Sequence, residues 1–355
     1  MTFQRQVVFW VAALAVFVAF VWLLSDVLLP FVAGMALAYL LDPPARWAER
    51  LGISRGISAL IVLTLVVVAV VLTVMTVAPI VADQFAAFTE NLPGYVTKLQ
   101  SIVSDPSRPW LAKIFGGKLP DPGKSASSVI SQGSSFIVAF LASLYSGGRA
   151  VFSVLSLLII TPVVAFYLLC DWDSVTRTVD GWIPLPHRKT VHALGRDIDS
   201  AIAGFVRGQA VVCLCLAAFY AIALTLTGLN FGFLIGLMTG LLSFIPFVGA
   251  ASGFLIAAIV AIAQFWPDWT SIMFVVGVFI VGQGLEGYVL SPKLVGAKVG
   301  LHPVWMMFAL LAFGYLFGFV GLLIAVPLAA TIGVLARFAI GKYQESPIYT
   351  GKGTR

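Results

Sequence analysis

Long apolar runs, separated by short polar stretches, dominate the pattern of residues along the chain. The runs are about 15 to 33 residues long, and a helix needs about 20 apolar residues to cross a hydrocarbon core of about 30 Å. The pattern therefore predicts an all-α, polytopic helical membrane protein with about eight spans. The runs predicted to span are Val7–Leu24, Val27–Leu41, Ile57–Ala82, Ala150–Cys170, Val206–Leu229, 231–263, the run that begins at Ser271, and 304–336.

Two of these runs, 231–263 and 304–336, are too long for one straight span. A helix of roughly 33 residues would measure about 50 Å. Each run has a break near its middle, at Ser243–Gly249 and at Gly318–Gly321, and Phe-Val-Gly occurs at both. We predict a broken helix or hairpin in each run; a single span and a chance match of the two breaks are the alternative. Matching discontinuous helices point to a transport site. The residues assigned to the breaks are Pro246, Gly249, Gly318, Gly321 and Pro327.

The segment 83–148 is the one long polar region of the chain, and its first part carries apolar residues at helical spacing. This spacing predicts an extramembrane amphipathic helical arm, divided into two helices at Pro93-Gly94. Because its charges nearly balance, the arm suits packing on the protein's own spans or on a sister subunit; a helix lying on lipid headgroups is the alternative. The residues of the apolar face are Phe85, Phe88, Leu92, Tyr95, Leu99 and Ile102.

The loops give the predicted domain boundaries and sidedness. The N-terminal spans occupy 1–82, the arm 83–148, a C-terminal transmembrane domain with a cytoplasmic loop at 171–206 occupies 149–341, and a tail follows at 342–355. Asp42-Pro43-Pro44 is predicted to end the second span. Basic residues concentrate on the cytoplasmic side of membrane proteins, and hairpins at both long runs place most of the 21 Lys and Arg residues inside. Both termini are therefore predicted to be cytoplasmic.

Four glycines recur every fourth residue, at Gly228, Gly232, Gly236 and Gly240. Glycines at this spacing form a flat helix face that lets another helix approach closely. The stripe predicts tight helix packing. Static packing and a surface on which helices slide are both open interpretations.

The candidate functional residue is Glu286, with Gln283 one helical turn before it. A charged carboxylate at the centre of a membrane helix costs about 2.5–3.5 kcal/mol, so it usually faces a bundle interior or a water-filled path. We predict that Glu286 couples transport to a proton or an ion. An interfacial glutamate bonded to nearby backbone is the alternative. The other polar residues predicted to line the path are Gln209, Arg207 and Lys293; Asp26 and Asp42 are interpreted as helix caps.

Composition narrows the functional classes. The chain is 60% hydrophobic and only 10% charged, whereas soluble domains carry roughly 25% charged residues. The three cysteines lie in or beside apolar runs and predict neither a disulfide framework nor a metal site. The glycines of 282–287 match a dinucleotide-binding fingerprint, but they end a membrane segment instead of joining a strand to a helix. No catalytic set converges, so no enzyme, cofactor or nucleic-acid partner is predicted.

Several ordered motifs together resemble the autoinducer-2 exporter family of bacterial permeases. The motifs are Tyr167–Asp173, Phe205–Gln209, Ser243–Gly249, Leu285–Gly287, Ser291–Gly296, Gly300–Pro303 and Gly318–Ala330. The resemblance covers essentially the whole chain. It implies a multi-pass protein of the bacterial inner membrane, with about eight spans, a helical arm between the third and fourth, and a homo-oligomer for which a pentamer is the candidate.

Three functions follow as hypotheses. The first is a secondary transporter, a permease or exporter of a small molecule such as a quorum-sensing autoinducer. The second is a sodium/proton antiporter with an ion as cargo. This function requires at least one buried titrating carboxylate, and Glu286 is the main candidate in the sequence. The third is a non-transporting membrane scaffold, which predicts a dry interior around Glu286. Apart from substrate or ion and a sister subunit, the lipid bilayer is the only partner predicted.

Overall fold

The computed structural model describes residues 23–103, 149–296, 300–346 and 349, together with Ala12 and Val16. No strand occurs in these ranges, which confirms the all-α prediction. A 3₁₀ turn lies at Leu185–His187, and two π-helical turns lie at Leu285–Leu290 and Pro292–Gly296. The α-helices are α1 Ser25–Arg50, α2 Arg55–Val103, α3 Arg149–Gly181, α4 Arg188–Leu226, α5 Gly232–Leu242, α6 Val248–Phe265, α7 Trp269–Gly284 and α8 Pro303–Gln344.

Seven helical segments are long and apolar enough to cross a membrane. They begin at Val27 and end at Gln344, so the first predicted span, Val7–Leu24, lies outside the described residues except for a few positions. Helix α2 exposes large apolar side chains between Ile57 and Ile80, as expected of a surface that meets lipid. A polytopic helical membrane protein is therefore confirmed.

The chain divides into two compact units. The first comprises 1–65, 155–209 and 292–355, and the second comprises 66–154 and 210–291. The boundaries at 65/66 and 209/210 fall inside α2 and α4.

In the first unit, α1 packs closely on α3. A Cβ at Gly34 would lie 2.8 Å from two Val164 carbons, so only glycine permits this approach. The Thr161 hydroxyl donates to the Pro30 carbonyl at 3.2 Å in the same contact. Helix α1 also contacts α8.

Asp42-Pro43-Pro44, which is predicted to end the second span, does not end the helix, because α1 runs through both prolines to Arg50. A proline removes the N–H that would donate to the carbonyl four residues earlier. For Pro43 that carbonyl belongs to Tyr39, and it accepts instead from Arg207 Nε at 2.7 Å. A replacement donor from α4 compensates for the lost backbone bond, and the helix continues.

Two further local predictions are corrected. Pro93-Gly94 does not divide the arm: α2 is one helix from Arg55 to Val103 with Pro79 and Pro93 inside it. An interior proline removes one backbone bond and bends a helix without having to end it. The predicted loop 171–206 is largely helical, formed by the end of α3 and the start of α4, which a short turn at Trp182–Pro184 separates.

The arm begins as the uninterrupted continuation of α2, and residues 104–148 lie outside the described residues. The boundary at 82/83, the cytoplasmic tail and the predicted oligomer stay predictions.

In the second unit, glycines bring α4 and α5 together. A Cβ at Gly232 would lie 2.7 Å from the Leu224 carbonyl, and Cβ atoms at Gly236 and Gly240 would overlap the backbone at Tyr220 and Ala217. Gly228 has another role: it lies in the turn between the two helices with φ 71°, a conformation that glycine adopts without strain.

The first long run contains a break. Helix α5 ends at Leu242, α6 begins at Val248, and the intervening turn includes Pro246 and a positive φ at Phe247. The two helices pack on each other because Gly249 and Gly253 leave no side chain between them and Ser243 and Thr239. The segment is a helical hairpin, as the length argument predicted.

The second long run also reverses direction. Within α8 only Gly318 has non-helical angles, φ 59° and ψ −138°. Residues eight apart in a straight helix are about 12 Å apart, yet a Cβ at Gly314 would lie 2.7 Å from Leu322 Cδ2. Gly321 similarly lies against the Phe313 carbonyl. The chain therefore folds back at Gly318. Pro327 lies within the second arm of this hairpin, where its carbonyl accepts from Thr331.

The described part of the arm holds the turn that precedes α5. Gln84 Oε1 accepts from the backbone N–H of Leu234 at 3.0 Å, and Tyr95 OH accepts from Asn230 Nδ2 at 3.1 Å. Phe231, with φ 60°, packs edge-on against Phe88 and Tyr95. This start of the arm therefore stabilises the entry to the first hairpin.

Helix α7 begins with a regular cap. Asp268 accepts from the Thr270 N–H at 3.0 Å and from the Ser271 hydroxyl at 2.6 Å. The hydrogen bond from Ser271 is the main reason that the pKa of Asp268 lies below its usual range.

Candidate functional site

A polar pair lies where α7 changes into a π-helical turn. Gln283 is in the last turn of α7 and Glu286 is in the first turn of the π segment Leu285–Leu290. Gln283 Nε2 donates to Glu286 Oε2 at 3.2 Å. A π turn leaves backbone groups out of the regular α ladder and is frequent at functional sites. No lysine or arginine pairs with Glu286 in the part of the chain that the structure describes.

Tyr220 of α4 completes this cluster. Its side chain is fully buried, and its hydroxyl lies beside Gln283 without a well-formed hydrogen bond to any described residue. Its ring packs on Phe279 at a centroid distance of 5.0 Å. Gly282 makes this possible, because a Cβ there would lie 2.6 Å from Tyr220 Cε1. Gly282 thus makes room for an aromatic ring, whereas a Cβ at Gly284 would meet no atom within 4 Å.

Sequence analysis did not single out Tyr220. The signal that could have found it is the register of α4: Gln209, Cys213, Leu216, Tyr220 and Leu224 follow one another at spacings of four and three, and all five are buried. Polar residues on such a face must be satisfied inside the protein. Cys213, on the same face, lies close enough to Glu286 to interact with its charge.

A groove of about 1020 Å³ opens beside the pair. Residues of α6 and α7 form most of its wall, together with Phe247 from the hairpin turn. The wall is largely apolar, and Gln283 brings an amide to it; Glu286 does not itself line the groove. The lining residues are Phe247, Ala250, Ala251, Phe254, Val276, Phe279, Ile280, Gln283, Gly284, Gly287 and Tyr288.

The first unit holds a separate charged cluster centred on Asp42. Its carboxylate pairs with Arg46 at 2.8 Å, Arg55 at 3.1 Å and Arg207 at 3.2 Å. Tyr39 OH, one turn away, donates to Asp199 at 3.0 Å. The interpretation of Asp42 as a helix cap is therefore wrong: it lies inside α1 and neutralises arginines from distant segments. The side chain of Asp26 lies outside the described residues.

The remaining residues of the predicted path also belong to the first unit. Gln209 is buried, whereas Lys293 is exposed on the second π turn. Gly208 packs directly against the backbone of Leu294, so the motifs around 207 and 293 do meet. Within the second unit the structure brings together only Gln283 and Glu286. The five residues predicted to line one path thus fall into two units.

In the described ranges, no group of three or more His, Cys, Asp or Glu side chains could hold a metal ion. The cluster can instead hold a proton or a small cation at Glu286, and it can offer an amide to a molecule in the groove.

Comparison with known proteins shows similarity to bacterial transport proteins over most of the chain. The family model described as "AI-2E family transporter" matches residues 11–340. "Putative transport protein YrrI" of Bacillus subtilis is 29% identical over 88% of this chain and 87% of its own length. "Putative permease PerM" of Escherichia coli K12 is 27% identical over 91% of each chain. "Putative transport protein MT0215" of Mycobacterium tuberculosis is 27% identical over 92% of this chain and 88% of its own length. The match agrees with the prediction that the chain is not an enzyme. The chain belongs to the AI-2E transporter family and is a membrane transporter.

Proposed function

We propose that the protein is a secondary transporter that exports a small, largely uncharged molecule through the groove of the second unit, with a proton at Glu286 coupled to the movement. The observation that carries this proposal is the Gln283–Glu286 hydrogen bond at the groove wall. Through it, one amide touches both the compartment for a cargo and the carboxylate that binds a proton.

The energetics support a coupling role for Glu286. Its segment, Trp269–Val295, is long and apolar enough to span the membrane. A charged carboxylate in such a segment costs about 2.5–3.5 kcal/mol. Because Glu286 has no basic partner among the described residues, binding a proton removes the cost of keeping a charged carboxylate in this segment. A cargo that displaces the Gln283 amide changes that balance, which links binding of cargo to binding of the proton.

The groove supports a small organic cargo. Its wall is mostly apolar with one amide, the usual make-up of a small-molecule site. A quorum-sensing furanone, small and rich in hydroxyl groups, is the cargo that the family's name suggests. The two helical hairpins, with hinges at Phe247 and Gly318, are the elements proposed to rearrange during transport.

These observations give less support to the two other hypotheses, a sodium/proton antiporter and a non-transporting scaffold. A sodium/proton antiporter lacks a second carboxylate beside Glu286 in the described part of its unit, and nothing in the family match specifies an ion. The scaffold hypothesis is set aside because the family is one of transporters.

The test is transport by the purified protein in vesicles, with the quorum-sensing furanone as probe. We expect the wild-type protein to accumulate the probe when a proton gradient is imposed. Glu286→Gln should abolish accumulation against a gradient but keep equilibrating exchange, because a permanently neutral residue cannot carry a proton. Glu90→Gln, at an exposed glutamate of α2, is the matched control. Gradient-driven accumulation by Glu286→Gln at the wild-type rate would remove Glu286 from the mechanism, and exchange by none of the three proteins would remove the furanone as cargo.

A further inference from the structure

A second large groove lies in the first unit, and it shares no lining residue with the groove of the second unit. Its volume is about 790 Å³. The first turns of α4 and the last turns of α8 form its two walls. The lining residues are Lys189, Thr190, Ala193, Leu194, Asp197, Ser200, Val334, Arg337, Phe338 and Lys342.

The lining combines cations with an apolar floor. Lys189, Arg337 and Lys342 contribute three positive charges, and Asp197 contributes one negative charge. Val334 is buried and Phe338 half-buried at the base. A groove with this pattern suits an amphiphile whose anionic group lies above an apolar part.

The cations differ in how far they are already engaged. Lys189 forms no ion pair within the described ranges. Arg337 makes one long hydrogen bond, from Nη1 to the Gly300 carbonyl at 3.4 Å. Lys342 pairs with Glu345 at 2.7 Å, but both side chains are more than half exposed, and such pairs are weak. The cationic wall therefore keeps most of its capacity to bind an anion.

Neighbouring charges do not compete for this space. Arg188 and His192, on the same stretch of α4, both pair with Asp180 of α3. Asp180 is thereby satisfied away from the groove, which leaves Asp197 as the one carboxylate in the lining.

We propose that this groove binds the phosphate of an anionic phospholipid. Helix α8 belongs to a segment that is long and apolar enough to cross a membrane, and Arg337 and Lys342 lie in the last two turns of its second arm, where a span would leave the hydrocarbon and meet phosphate groups. Basic pockets beside membrane helices bind anionic headgroups, and a basic side chain near the surface contributes about 1 kcal/mol. That is about fivefold in affinity for each cation, and on the order of a hundredfold for all three.

The experiment measures the thermal unfolding of the full-length protein in neutral detergent as phosphatidylglycerol, phosphatidylcholine or inorganic phosphate is added. We expect phosphatidylglycerol alone to raise the unfolding temperature. The variant with Lys189→Gln, Arg337→Gln and Lys342→Gln should need on the order of a hundredfold more of this lipid for the same shift. A variant with Arg50→Gln, Lys98→Gln and Arg177→Gln loses the same charge elsewhere and should respond as the wild type.

Two single variants protect the test against misfolding of the triple variant. Lys189→Gln, at an exposed and unpaired site, should weaken the response about fivefold, and Asp197→Asn should strengthen it about fivefold because it removes the lining's carboxylate. An equal response to phosphatidylcholine overturns the proposal, as does an equal loss in the control variant. A shift produced by inorganic phosphate alone would overturn the lipid assignment in favour of a free anion.

Discussion

The packing of Tyr220 against Gly282 makes a sharp prediction about the candidate site. Replacing Gly282 by alanine adds one methyl group whose carbon would lie 2.5 Å from Tyr220 Cζ and 2.6 Å from Cε1. Carbon atoms in contact prefer about 3.5–4.0 Å, so the ring or the helix must move by about 1 Å. The ring has little room to move, since it is fully buried and packs against Phe279.

The loss of stability in Gly282→Ala can be estimated by comparison with a second glycine of the same segment. Gly284, two residues on, has nothing within 4 Å of where its Cβ would lie. Gly282→Ala and Gly284→Ala gain similar helix propensity, about 0.5–1 kcal/mol. Their difference therefore isolates the overlap with Tyr220, and forcing a methyl into a well-packed site costs about 1–3 kcal/mol. We expect Gly282→Ala to be less stable than Gly284→Ala by that amount.

The assay is reversible unfolding in mixed micelles of neutral detergent and dodecyl sulfate. A double-mutant cycle with Tyr220→Leu should show a favourable coupling of at least about 1 kcal/mol, because the smaller side chain relieves the overlap. Gradient-driven transport should fall in Gly282→Ala and persist in Gly284→Ala. Equal stabilities of the two alanine variants, or no coupling to position 220, would refute the assigned packing and with it the placement of Tyr220 in the site.

Three further predictions use the same unfolding assay. Gly318→Ala should cost about 1–3 kcal/mol relative to Gly341→Ala, since φ 59° with ψ −138° is a conformation for glycine; equal stability would mean that α8 does not turn there. Asp42→Asn should lower the free energy of unfolding by about 1–3 kcal/mol, because it leaves guanidinium groups together without their counter-charge. This value is reduced from that of a fully buried pair, since the Asp42 side chain is 21% exposed. A higher stability of this variant would contradict the cluster. Gln84→Ala should cost about 1 kcal/mol and speed hydrogen exchange at the Leu234 amide, which loses its acceptor; unchanged exchange would show that the arm does not hold this turn.

The hairpin in α8 could be anticipated from the sequence because its cause is local. A run too long for the bilayer must bend, and Gly318 allows the backbone angles that a bend requires. The α5–α6 turn follows the same logic, with Pro246 within the turn and Gly249 just after it. The stripe formed by Gly232, Gly236 and Gly240 was visible for a related reason, since its periodicity depends on the helix alone.

Prolines show where local rules mislead. Pro43, Pro93 and the other interior prolines end no helix here, although each removes a backbone bond. For Pro43 the tertiary structure supplies a substitute, since Arg207 donates to the freed Tyr39 carbonyl across 168 positions of sequence. A rule that considers only neighbouring residues cannot include such a donor.

The amino-acid sequence by itself determined the class of this protein, its membrane helices and their breaks, because these depend on length, hydrophobicity and local backbone freedom. Its ordered motifs determined its membership of a transporter family. Only the tertiary structure decided which polar groups meet. It placed Tyr220 beside Gln283, and it paired Arg207 with Asp42. Such pairings depend on which helix faces oppose each other, and that choice is made by packing over the whole fold.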